Sequence, residues 1–152
     1  MTDVELTRAL ERGEIRNQDF HHASHLQVAW VYLSESRSSD EAAGKMSVTL
    51  RRFAANAGKA EKYHETITQF WIRLLAAVRD SSEHGDLSRI LAAHPSLLEK
   101  DLPMEYYSRQ TLFSDRARIS WVDPDLKPLS TNAVAIYSSD SAGHSPNRLI
   151  SR

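Results

Sequence analysis

The chain contains no cysteine. This excludes a disulfide framework, thiolate catalysis, and zinc or iron–sulfur sites built on cysteine. An excess of charge of one sign is also missing, because 19 Lys and Arg face 20 Asp and Glu. Nothing in this balance attracts nucleic acid or an acidic lipid surface over a long range. We therefore expect neither nucleic acid nor a membrane as a partner.

Long apolar runs are absent as well. No stretch approaches the roughly 20 apolar residues that a membrane-spanning helix needs. The N-terminal run "MTDVELTRALERGEIRN" is charged and amphipathic, and it lacks the apolar centre of a signal peptide. We expect a cytoplasmic protein. With 152 residues, 41% of them apolar, the chain is long enough for one domain with its own core.

Glycine and proline are scarce, and the apolar spacing predicts three main helices. The first covers residues 19–33, where apolar side chains recur every three or four positions. The second begins after Ser38, which stands three residues before Glu41 in capping-box spacing. It ends before Gly58, a residue suited to a left-handed C-terminal cap. The third covers about residues 60–78.

Shorter helices are predicted in "DLSRILAAH", "PMEYYS" and "SDRARISW", and no segment shows convincing strand alternation. The run "VDPDLKPLS" reads as an extended surface segment. Residues 130–152, rich in Ser, are expected to form a flexible tail. The predicted fold is all-α: a single-domain bundle of three main helices with short C-terminal helices over residues 1–129, followed by that extended tail.

Histidines are concentrated in two short stretches, "FHHASH" and "YHET". Short connections favour antiparallel neighbours, so the first and third helices should start at the same end of the bundle. His22 lies on the inward stripe of the first helix, and His25 lies about 60° around the helix from it. His21 lies farther around and is a weaker candidate. His64 lies on the inward stripe of the third helix. We therefore expect His22, His25 and His64 to converge.

Convergent imidazoles predict a metal site. His22, His25 and His64 would bind one divalent transition metal, with Zn, Fe, Ni, Cu and Mn all compatible with imidazole. Three protein ligands and one open position are the arrangement of a catalytic zinc site, in which bound water becomes a nucleophile. Glu65 would be the fourth ligand or the general base. The leading prediction is a small metal-dependent hydrolase or lyase acting on a small polar molecule.

Two further residues are assigned to substrate contact. Tyr106 would supply a phenol, and Arg51 would orient an anionic group through its planar guanidinium. An alternative for the pair Arg51 and Arg52 is one solvated side chain and one salt bridge to a neighbour such as Glu65.

Other functions are also compatible with the sequence. Buried histidines often satisfy backbone carbonyls, and the chain would then be a non-catalytic helical module that binds a ligand or a protein partner. A separate alternative is that the histidines act in acid–base catalysis without a metal. Assembly into a homo-oligomer is compatible with either function.

Several motifs together resemble a family of small, uncharacterised bacterial proteins. They are "F-x-H-x-x-H-L-x-V-A-W-x-Y-L", "R-R-F-A", "Y-H-E-T-I-T" and "Y-Y-S-R…L-F-S…W-V-x-P-D-L-x-P-L". The resemblance covers about residues 20–129, and "YHETIT" is its most specific part. It implies a shared site at His22, His25, His64 and Glu65, without implying the chemistry of that site.

Overall fold

The computed structural model describes residues 1–80 and 85–129, and over these residues the chain is helical with no strand. The predicted all-α class is confirmed. The predicted flexible tail, residues 130–152, lies outside the described residues. The described α-helices are α1 (Asp3–Glu11), α2 (His22–Glu35), α3 (Ser39–Asn56), α4 (Glu65–Asp80), α5 (Leu87–Ala93), α6 (Arg109–Leu112) and α7 (Asp115–Ile119).

Helix α1 adds to the three predicted main helices. It begins with a capping box: Thr2 Oγ1 accepts the Glu5 backbone N–H at 3.0 Å, and the Glu5 carboxylate accepts the Thr2 N–H at 2.7 Å. Leu6 and Leu10 on its inner face are buried, and the helix packs against α2 and α3. The amphipathic pattern at the N-terminus is therefore that of a helix docked on the bundle.

Helices α2 and α3 follow the sequence closely. Helix α2 begins at His22, later than predicted, because Asn17–Asp19 forms a separate 3-10 turn before it. Helix α3 has the predicted cap, since Ser38 Oγ accepts the Glu41 N–H at 3.0 Å. After its C-terminal end, Gly58 has φ +72°, the left-handed conformation that favours glycine.

The predicted third helix is divided in two. Ala60–Lys62 forms a 3-10 turn, and α4 begins at Glu65. His64 therefore stands immediately before the first turn of α4 rather than inside a continuous helix. This shift matters for the site, because a residue in that position faces the free N–H groups of the helix start.

The core lies around α2, which packs against α1, α3 and α4, while α7 packs on α4. Tyr106 and Tyr107 are both fully buried against this core. The Tyr107 hydroxyl donates to the Val122 carbonyl at 2.6 Å. Thr66 Oγ1 on α4 donates to the Ser120 carbonyl at 2.7 Å. These bonds fix the C-terminal elements on α4.

Of the segment predicted to be extended, residues 122–129 are described; they contain no helix or strand, and the chain bends at residues 125–127. The Leu126 N–H donates to the Tyr106 carbonyl at 2.9 Å. The Asp125 carboxylate accepts from Ser108 N–H at 2.8 Å, Ser108 Oγ at 2.7 Å and Thr111 Oγ1 at 3.0 Å. In the part of the chain that the structure describes, no helix is both long and apolar enough to cross a bilayer.

Candidate functional site

A pocket of about 250 Å³ lies where the start of α2, the middle of α3 and the start of α4 meet. This is the end of the bundle at which the sequence predicted convergence. The wall is mainly apolar and aromatic, and among the residues that the structure describes no carboxylate lines it. The lining residues are Phe20, His21, His22, His25, Met46, Leu50, Ile67, Thr68, Trp71 and Lys100.

His22 is the first residue of α2 and forms one side of the pocket. Its Nε2 lies 2.9 Å from the Leu97 carbonyl oxygen, so this nitrogen carries the proton and donates it. The ring also packs edge-on against Trp71, with 4.4 Å between ring centroids. His22 thus attaches the 3-10 turn Pro95–Leu98 to the bundle.

His25 lies one turn farther along α2, with its ring in the pocket. Burial lowers the pKa of His25, the neighbouring His22 contributes a smaller part in the same direction, and the resulting pKa is about 4. The imidazole is therefore neutral at pH 7, with one N–H donor and one nitrogen acceptor. The ring meets Phe20 at 4.6 Å in an edge-to-face contact. Within residues 1–80 and 85–129, neither ring nitrogen has a hydrogen-bond partner.

His64 uses both ring nitrogens in a structural role. Nε2 donates to the Leu112 carbonyl at 2.7 Å, and Nδ1 accepts the Ile67 backbone N–H at 3.1 Å. The second bond satisfies a free N–H in the first turn of α4, the role usually taken by Ser, Thr, Asp or Asn. Burial lowers the pKa of His64, which keeps the ring in the neutral form that this pair of bonds requires. His64 does not line the pocket.

Glu65 lies in a separate polar cluster between α3 and α4. Its Oε1 accepts from Tyr63 Oη at 2.6 Å and from Arg51 Nη2 at 3.2 Å. Its Oε2 accepts from Gln69 Nε2 at 2.6 Å and from Ser47 Oγ at 2.9 Å. Burial raises the pKa of Glu65, but these four donors outweigh it and the pKa lies below its usual value. The carboxylate is ionised and satisfied within the protein.

The predicted site residues therefore fall into separate groups. His22 and His25 share the pocket, His64 caps α4, and Arg51 forms the ion pair with Glu65 that the sequence offered as an alternative. Tyr106 is fully buried and does not line the pocket.

Within residues 1–80 and 85–129, no group of three or more His, Asp or Glu side chains could hold a metal ion. The three-histidine metal site stays a prediction, and so do the catalytic roles of Glu65, Tyr106 and Arg51.

Several pocket residues carried no sequence signal for a site. Met46, Leu50 and Trp71 belong to helical apolar stripes, and such stripes predict only burial. Lys100 comes from the segment after α5, far away in sequence. Its contribution depends on how that segment folds back over the start of α2, which no local pattern encodes.

Comparisons with protein-family models, with curated proteins and with solved structures found no match to this chain. The resemblance to small bacterial proteins stays a prediction.

Proposed function

We propose that this chain is a helical ligand-binding module, and that the pocket between α2, α3 and α4 takes a small, mainly apolar organic molecule. The ring of His25 is the observation that carries this proposal. It offers a donor and an acceptor into an aromatic and aliphatic wall, and the described chain satisfies neither. Ligand pockets in proteins combine such a wall with a few placed polar groups.

Three of the other predicted site residues already use their polar groups within the protein. His22 and His64 each donate to a backbone carbonyl of a segment far along the chain, and Glu65 accepts four hydrogen bonds. Such bonds hold the scaffold and leave little capacity for a substrate or a metal. His25 is thereby distinguished from the other predicted site residues.

The size of the pocket limits its occupant. A volume of about 250 Å³ lies just below the range of roughly 300–1,000 Å³ that is usual for drug-sized ligands. Because one water occupies about 30 Å³ of liquid, the pocket holds the equivalent of about eight waters. We expect a ligand of about ten non-hydrogen atoms. Trp71 and Phe20 provide flat apolar faces, which favour a planar or branched apolar body.

Ligand-observed NMR with a panel of small aromatic and branched-chain fragments tests this proposal on metal-free protein. Ile67→Trp adds bulk at the pocket wall and is expected to abolish binding. Ile119→Trp adds the same bulk at a residue that is 74% exposed, and should bind as the wild type does.

His25→Phe keeps a ring but removes the hydrogen-bonding nitrogens. The variant should bind fragments that carry a polar group more weakly than the wild type does, and should bind fragments without a polar group equally well. Circular dichroism and thermal unfolding establish that each variant is folded. The proposal is wrong if no fragment binds, or if Ile67→Trp binds as well as Ile119→Trp.

The metal-dependent enzyme predicted from the sequence is the competing function. One observation favours it: His22 and His25 line the same pocket. A metal would have to break the bond from His22 to Leu97, or use its Nδ1, and find further ligands. Titration with Zn²⁺ and Ni²⁺, followed by elemental analysis, separates the two functions. One tightly bound metal per chain, lost in both His22→Ala and His64→Ala, would replace the module with the enzyme.

A further inference from the structure

We propose that the ligand of this pocket is a small carboxylate. Its acid group would pair with Lys100 and accept a hydrogen bond from His25, while its apolar body packs against Trp71. This inference rests on the proposed function and names the chemical class of the ligand.

The charges around the pocket are the first argument. Within residues 1–80 and 85–129, Lys100 is the one lining residue with a permanent charge, and no Asp or Glu lines the pocket. Glu99 and Asp101, its neighbours in sequence, are exposed and do not line the wall. In the described part of the chain Lys100 forms no ion pair. Lys100 therefore brings a positive charge to the edge of the pocket, and the carboxylates of Glu99 and Asp101 flank it in the sequence without lining the wall.

The hydrogen-bonding capacity of His25 is the second argument. A neutral imidazole donates one N–H, and a carboxylate oxygen accepts such a bond more strongly than a neutral oxygen does. His25 lies on the first turns of α2, whose N-terminal end carries the positive end of the helix dipole. Both features add to the attraction that Lys100 exerts on an anion.

The same features make cationic, neutral and doubly negative ligands less suitable than a monoanion. An ammonium group would be repelled by Lys100 and would find no carboxylate in the wall. A neutral amide could bond to His25, but it would gain nothing from Lys100. A phosphate dianion would leave one negative charge unpaired, because a single lysine faces it. A monoanion attached to an apolar body of limited size fits the wall, the volume and the charge together.

Benzoate, benzamide and benzylamine test this class, since they share size and ring and differ in charge. Their dissociation constants are measured by ligand-observed NMR titration on the full chain at low salt. Benzoate is expected to bind about fivefold tighter than benzamide, as for a partly exposed ion pair. Benzylamine should bind most weakly. High salt should reduce the preference for benzoate and leave benzamide unchanged.

Lys100→Met removes the charge and keeps the length of the side chain. It should bring benzoate to the affinity of benzamide, while Lys59→Met, which changes an exposed lysine outside the pocket, should keep the preference. Equal binding of benzoate and benzamide to the wild type would overturn the carboxylate class and leave the pocket in place. A preference that survives Lys100→Met would overturn the role of Lys100. Failure of all three probes and of neutral fragments would overturn the proposed function itself.

Discussion

Replacement of His25 by glutamine is expected to make the folded state less sensitive to acid. The pKa of His25 in the folded chain is about 4, because the ring is buried, against 6.5 for a solvated histidine. Between these two values the unfolded chain binds a proton that the folded chain does not. Stability therefore rises with pH across this window and is lost as the pH falls through it.

The size of the effect follows from the two pKa values. With a pKa of 6.5 in the unfolded chain and about 4 in the folded chain, His25 alone lowers the free energy of unfolding by about 2 kcal/mol when the pH falls from 7 to 5. The limiting loss below pH 4 is about 3 kcal/mol. The charged or titratable side chains that line the same pocket are His21, His22 and Lys100, and none of them is a carboxylate that would stabilise a protonated ring.

Urea unfolding of the wild type and His25→Gln at pH 7 and pH 5, followed by tryptophan fluorescence, measures this difference. The wild type should lose about 2 kcal/mol more than the variant over this interval. His21→Gln removes an exposed histidine from the same part of the chain and should behave like the wild type. If the wild type and His25→Gln lose the same unfolding free energy between pH 7 and pH 5, His25 is not the source of the acid sensitivity. An NMR titration that gives His25 an ordinary pKa would lead to the same conclusion.

Three further predictions concern stability, all measured by urea unfolding at pH 7. Glu65→Gln should lower the free energy of unfolding by about 3 kcal/mol, because it removes the charge that four donors surround. Glu61→Gln, at an exposed position, should lower it by less than about 0.5 kcal/mol. Similar losses in the two variants would contradict the polar cluster around Glu65. His64→Ala should lower the free energy of unfolding by about 2 kcal/mol, because the Leu112 carbonyl and the Ile67 N–H lose their hydrogen bonds. An unchanged stability would contradict the capping role of His64. Gly44→Ala in α3 should raise the free energy of unfolding by about 0.5–1 kcal/mol, since an added Cβ meets nothing within 4 Å. Gly58→Ala, at φ +72°, should lower it by about 1 kcal/mol. Effects of the same sign would be inconsistent with these backbone conformations.

Helices α2 and α3 could be predicted because their signals are local. Apolar periodicity, the Ser38 cap and the left-handed Gly58 each involve residues within a few positions of one another. Helix α1 is different. Its nine residues are too few for stability in isolation, so the helix depends on burying Leu6 and Leu10 against its neighbours. That contribution is tertiary, and the sequence showed only an amphipathic segment.

The end of the bundle that holds the site was predictable from topology, but the partners of its side chains were not. The carbonyl that His22 bonds lies 75 residues away at Leu97, and the carbonyl that His64 bonds lies 48 residues away at Leu112. Helical phase indicates that a ring points inward. Whether that ring then meets a metal, a carbonyl or an open pocket depends on how later segments pack over it, and this decides between the predicted functions.

Chemical-shift mapping on isotope-labelled, metal-free protein shows whether the pocket at His25 binds a ligand. A small aromatic carboxylate is titrated while the side-chain signals of Trp71, His25 and His64 are followed. The pocket proposal predicts shifts at Trp71 and His25 that saturate together, with His64 unchanged because its ring is held by the protein. The pocket proposal is contradicted if no fragment shifts these signals. If stoichiometric Zn²⁺ then shifts His25 and His64 together, the predicted metal site replaces the pocket.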